Sequence, residues 1–129
     1  MRVLMKVLQL DHVALHVADV ERSRQFYREV LGLQEIPRPA FSFPGAWFRL
    51  GGDQELHLIG GRDEETHSHN RGNHWALMID DMDAWEREFQ AQGTTYLPRR
   101  MRPDGALQIY LVDPDGHYLE LCTAAAPSM

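Results

Sequence analysis

The sequence predicts an α+β protein made of two similar halves, each a strand, a helix and then further strands. Three observations carry this. The stretch "LDHVALHVADVERSRQFY" (Leu10 to Tyr27) alternates in strand fashion and then turns to helical spacing. The stretch "NHWALMIDDMDAWEREF" (Asn73 to Phe89) repeats that plan. Placing His12 over His74, an offset of 62, sets Ala14 on Ala76, Leu15 on Leu77, Val17 on Ile79 and Asp19 on Asp81. Each half then closes in a hairpin with a turn-forming centre, "AWFRLGGDQELHLI" and "LQIYLVDPDGHYLEL". Superposing the hairpins puts His57-Leu58 on Glu120-Leu121, an offset of 63.

Taken in order, the first strand spans His12 to Val17. A helix from about Val20 to Leu31 follows, with Val20, Phe26, Tyr27, Val30 and Leu31 on one face. The matching helix runs from about Met82 to Gln92, with Met82, Trp85 and Phe89 at helical spacing. Asp19 and Asp81 stand where a cap is needed, and Gly32 and Gly93 where each helix should end. The segment Gly60 to Asn73, "GGRDEETHSHNRGN", is polar and reads as a linker that lets the halves pack. A half of about 60 residues would bury little surface alone, and two side by side bury more. The expectation is one domain over residues 1–129, with module one at about 8–60 and module two at about 72–123.

Net charge is −6, which gives no long-range attraction for nucleic acid or an anionic membrane. No apolar run is long enough to span a bilayer. In "MRVLMKVLQLDH", Asp11 and His12 interrupt the apolar run too early for a signal peptide. Cys122 is the single cysteine, so no intrachain disulfide forms. The expected setting is the cytoplasm.

Strand side chains alternate between faces. One face of four strands is apolar: Val13, Leu15 and Val17; Leu56 and Leu58; Trp75, Leu77 and Ile79; Leu119 and Leu121. The other face carries a polar residue in each: His12, His57, His74 and Glu120. If the halves make one curved sheet with helices outside, these four line a cup. An unpaired carboxylate there is costly. Three imidazoles and one carboxylate suit a divalent metal with open positions, whether Ni, Zn, Fe, Mn or Co.

"LDHVALHVADVERSRQFYREVLGL", "NHWALMIDD" and "DPDGHYLEL" resemble the vicinal oxygen chelate superfamily, which includes glyoxalase I, extradiol dioxygenases, fosfomycin-resistance thiol transferases and bleomycin-binding proteins. The resemblance covers roughly Leu10 to Cys122. It implies two βαβββ modules forming a curved mixed sheet, a cup around one divalent metal ion. It implies His12, His74 and Glu120 as ligands. The fourth position falls on His57, where glyoxalase I carries a carboxylate; Glu55, two residues earlier on the same face, is a rival alignment. "PGAWF" followed by "LHL" is shared with a distinct glyoxalase-like subgroup.

The implied activity is metal-stabilised proton transfer on a small oxygen-chelating substrate, a lyase or isomerase of glyoxalase type, with Glu120 or His57 as base. An Fe(II) extradiol-type dioxygenase and a non-catalytic drug-binding resistance protein are the alternatives. The resemblance also implies a homodimer in which ligands come from one chain or from two.

His16 shares the His12 face but lies roughly 13 Å further along the strand, too far for the same metal, so it should line the far wall. Trp47 and Tyr110, on middle strands, are candidate walls of the substrate site. Arg99, Arg100 and Arg102 form a basic cluster, from which Arg102 is the candidate anchor for a substrate anion. His67 and His69 fall in the linker, and Cys122 reads as a buried thiol.

Overall fold

A computed structural model describes residues 4–126. Module one comprises β1 (His12–His16), α1 (Val20–Gln25), β2 (Gln34–Ile36), β3 (Gly45–Arg49) and β4 (Glu55–Ile59). Module two comprises β5 (Trp75–Met78), α2 (Met82–Gln92), β6 (Leu97–Met101), β7 (Leu107–Val112) and β8 (Tyr118–Cys122). Each module forms a four-stranded mixed sheet, in the orders β1-β4-β3-β2 and β5-β8-β7-β6. The architecture is the expected α+β pair of βαβββ modules, with the strands divided between two sheets rather than hydrogen-bonded into one.

The helix boundaries follow from local chemistry. The carboxylates of Asp19 and Asp81 accept from the backbone N–H of Arg22 and Ala84, satisfying groups that a helix start leaves free. Gly93 closes α2 at φ 69°, a conformation that disfavours a side chain. The first helix differs from the uniform one expected over Val20–Leu31. It is α-helical to Gln25 and then widens into a π-helical turn over Phe26–Val30. That turn carries Tyr27, whose side chain is fully buried and whose hydroxyl donates to Asp113 Oδ2 at 2.7 Å.

Strand parity sorts the side chains as expected. Phe48, Leu56 and Leu58 of module one and Ile109, Leu111, Leu119 and Leu121 of module two are essentially inaccessible and join one core. Burying such a side chain stabilises the fold by roughly 1.5–3 kcal/mol. The opposite faces are open along the edge strands, where Ala14, Ala76 and Met78 are exposed, and closed over β7 and β8, where Tyr110, Glu120 and Cys122 are buried.

The β7–β8 turn fastens module two onto module one. Asp113 Oδ1 accepts from the N–H of Asp115 and His117, both at 2.9 Å, which shapes the turn. Asp115, with an inaccessible side chain, then accepts from Ala18 N at 2.8 Å, Ser23 Oγ at 3.2 Å, and Arg62 Nε and Nη2 at 3.1 and 2.6 Å. Burial alone would raise this carboxyl's pKa. The Ala18 N–H, Arg62 and Ser23 outweigh it and hold the group below its ordinary value. The polar linker thus supplies, through Arg62, the nearer of the two cations at this buried junction; Arg22 Nη2 lies 3.4 Å from the same oxygen.

Candidate functional site

The four polar positions singled out by strand parity fall into two pairs, one on each sheet. On module two, His74 Nε2 lies 3.1 Å from Glu120 Oε1. Glu120 is only 5% exposed, and three further contacts define it. Tyr110, directly opposite across β7 and β8, donates to Oε1 at 3.2 Å, and Gln108, one diagonal step away, donates to Oε2 at 2.8 Å. Burial, then the charge and hydrogen bond of Glu120, raise the Tyr110 phenol's pKa, so it remains a donor. Cys122, on the same face, is buried, and burial followed by the Glu120 charge raises its thiol's pKa. It is therefore a poor nucleophile.

The proton on His74 can be placed by its other contact. Nδ1 lies 3.2 Å from the Gly72 carbonyl oxygen, which only accepts, so Nδ1 carries the hydrogen. In the neutral ring Nε2 then presents a lone pair to a carboxylate. A second proton or a shared cation satisfies that contact. Two donors each about 2.0–2.2 Å from one divalent ion lie about 3 Å apart at near-right or tetrahedral angles. The His74–Glu120 spacing fits such a ligand pair.

On module one, His12 Nδ1 lies 2.8 Å from Asp11 Oδ2. This carboxylate fixes the neutral tautomer and leaves Nε2 free to ligate, the usual arrangement around a metal-binding histidine. His57 sits between two rings: Trp47 at 3.8 Å with planes 4° apart, and His12 at 4.1 Å. Trp47 stacks because it is the direct cross-strand partner of His57. Glu55 Oε1 lies 2.9 Å from His57 Nε2, and Arg49 reaches Glu55 Oε2 at 3.5 Å. Both candidates for the fourth position are thus in one place, Glu55 holding the ring of His57.

The donors have the right chemistry for a divalent ion, but one chain does not gather them. Among the described residues, no three His, Cys, Asp or Glu side chains converge closely enough to hold a metal. A cleft of about 190 Å³ lined by Val13, His67, His74 and His117 reaches His74 alone of the four.

The other sequence candidates lie as follows. His16 is exposed, and its carbonyl oxygen accepts from His117 Nε2 at 2.9 Å. The guanidinium of Arg102 is engaged by its neighbour, with Nε and Nη2 donating to the Asp104 carboxylate at 3.1 and 2.6 Å. Arg99 is paired with Asp83 and Glu86. Sequence reasoning missed Asp11 and Gln108. Asp11 was legible as a carboxylate beside a strand histidine; Gln108 depends on cross-strand register.

Two βαβββ modules with His12, His57, His74 and Glu120 on their open faces define a vicinal oxygen chelate fold. Residues 9–121 match the model of the Glyoxalase/Bleomycin resistance protein/Dioxygenase superfamily, and the chain belongs to that family. It is 30% identical over 122 residues to Glyoxylase I 4 of Arabidopsis thaliana, covering 88% of this chain and 69% of that one. It is 26% identical over 125 residues to metallothiol transferase FosB of Bacillus licheniformis, covering 93% and 78%. A crystal structure of a glyoxalase family protein from Bacillus anthracis superposes with a TM-score of 0.81 at 29% identity, covering 95% of this chain and 98% of the other. No helix among the described residues is long and apolar enough to cross a membrane.

Proposed function

We propose that this protein is a divalent-metal-dependent enzyme of glyoxalase type, acting on a small substrate with two chelating oxygens, and that its site is shared by two copies of the chain. The observation that carries this is the His74–Glu120 pair: a ring whose hydrogen is held at Nδ1 turns its other nitrogen to a buried carboxylate. His12, oriented by Asp11, would complete the set from the other copy. In a two-fold dimer the first-module face of each chain meets the second-module face of its partner, completing two sites at once. The exposed Met78, 70% accessible, lies on the face of module two that carries Glu120 and that such a partner would cover.

The bound ion would act as a Lewis acid, stabilising negative charge on the chelated oxygens. The chain's residues handle the proton. Glu55 accepts from His57 Nε2, which leaves Nδ1 with the lone pair, so a neutral His57 serves as base. Tyr110 and Gln108 hold the Glu120 carboxylate in one orientation and offset its charge. Elemental analysis of wild type, His12→Ala and Glu120→Ala, with lactoylglutathione formation assayed after Ni or Zn loading, tests this. Metal lost in both variants with turnover in wild type is expected; no turnover with any metal contradicts the activity.

One observation favours a second reading, metallothiol transfer. It is the similarity to metallothiol transferase FosB of Bacillus licheniformis, and under this reading His57, held by Trp47 and Glu55, would not act as the base. Metal-dependent addition of a thiol to fosfomycin, without lactoylglutathione formation, would select it.

A further inference from the structure

The segment before β1, residues 4–10, leaves its apolar side chains in solvent. Leu4, Met5, Val7, Leu8 and Leu10 are 58–95% accessible. One exposed leucine needs no explanation, but five apolar residues in a run of seven make a patch that a folded protein ordinarily covers. Among the described residues, no backbone hydrogen bond involves residues 4–10. A side-chain tie holds the end nearest β1: Gln9 Nε2 donates to Asp53 Oδ1 at 3.1 Å, in the turn between β3 and β4. Lys6 is the one charged residue of the segment.

A groove of matching character lies elsewhere on the same chain. Two clefts, of about 160 and 350 Å³, share Leu31 and Trp85 and so join. The first is lined by apolar residues, Leu50, Leu77, Met78 and Ile79 among them. The second carries three carboxylates, Glu29, Asp80 and Glu88, and no lysine or arginine lines either cleft. An apolar trough with an acidic end complements an apolar segment with one cation. The segment does not fill the groove of its own chain: Gln9 reaches the turn that follows Leu50, yet the residues before it stay exposed.

We propose that residues 4–10 of each copy seat in this groove of a second copy, with the apolar side chains along Leu50, Ile79 and Trp85 and Lys6 beside the three carboxylates. The choice of partner rests on the shared site proposed above, where His12 of one copy faces His74 of the other. From His74 to Met78 or Ile79 is four or five strand residues, about 13–17 Å. Residues 4–11, extended, span about 26 Å, so the segment reaches the groove with residues left to lie in it. Met78 belongs both to the face that carries Glu120 and to the groove, which makes the two surfaces continuous. Two-fold symmetry has each copy give one segment and receive one.

Sedimentation of the full chain measures the dimer dissociation constant, with circular dichroism as the check on folding. Val7→Ser combined with Leu8→Ser alters only exposed side chains, so each copy should fold as wild type while the dimer weakens about tenfold or more. Lys6→Glu should weaken it about threefold, and adding Glu29→Lys and Glu88→Lys should restore it. Leu8→Cys and Ala84→Cys, placed on differently tagged chains, should oxidise to a disulfide that carries both tags. A wild-type monomer, a dissociation constant unchanged by the serine pair, or a disulfide that forms only when both cysteines are on one chain overturns the proposal. If the shared metal site fails instead, wild type binds no Ni while the serine pair still weakens the dimer, and the docking stands.

Discussion

Replacing Asp115 with asparagine keeps the shape of a buried side chain and removes its charge. The wild-type carboxylate is inaccessible and accepts from Ala18 N, Ser23 Oγ and both Nε and Nη2 of Arg62. Removing one partner of a buried ion pair costs about 3–5 kcal/mol. The Arg62 side chain is 19% exposed and keeps some hydration, and the amide oxygen can still accept from Ala18. The expected loss is therefore about 2–4 kcal/mol. With a mid-range urea slope of about 2 kcal/mol per molar, the unfolding midpoint should fall by about 1–2 M. Arg62→Met should cost less once Asp115→Asn is present, with a coupling of at least about 1 kcal/mol.

The acid limb carries the same signature. A carboxyl held below its ordinary value when folded contributes stability above the ordinary carboxylate range, and loses it as pH falls through the lower, folded value. The gap between wild type and Asp115→Asn should therefore narrow on acidification below about pH 4. A midpoint within about 0.2 M of wild type at neutral pH, with additive effects at Arg62, would refute the assignment of this turn as the junction between modules.

Other expectations follow from the same contacts. Tyr27→Phe removes a buried donor from Asp113 and should cost about 1–2 kcal/mol, read from thermal melts. Gln108→Leu or Tyr110→Phe should weaken Ni binding about tenfold or more by loosening Glu120, measured by calorimetry; unchanged affinity would remove them from the site. Gly45→Ala should destabilise the β3–β4 pair, visible as a lowered urea midpoint, because its Cβ meets the Leu58 carbonyl oxygen.

The duplicated plan was legible because both halves place an aspartate before the helix and a polar residue on the same strand face, as the pairs His12/His74 and Asp19/Asp81 show. Parity needs only alternation, so it found His57 and Glu120 too. Residues whose role depends on register or loop path were not legible. Gln108 reaches Glu120 only because the β7–β8 register sets it opposite Cys122, one diagonal step from Glu120. Arg62 looked like part of a solvated linker, yet it neutralises a buried turn nearly half the chain away. Arg102 looked like the available cation, but the aspartate two residues later occupies its donors. Alternation also says nothing about whether two faces of one chain meet. Only the folded arrangement separates His12 and His57 from His74 and Glu120.

The most direct test of a shared site mixes two defective chains. His12→Ala and Glu120→Ala, carrying different tags, are co-expressed, the mixed dimer is purified through both tags, and Ni is counted. Each variant alone should hold essentially none. The mixed dimer retains one intact set, His12 from one chain with His74 and Glu120 from the other, and should bind about one ion where wild type binds about two. A mixed dimer without metal, beside a wild type that binds it, would place the site within a single chain and contradict the account.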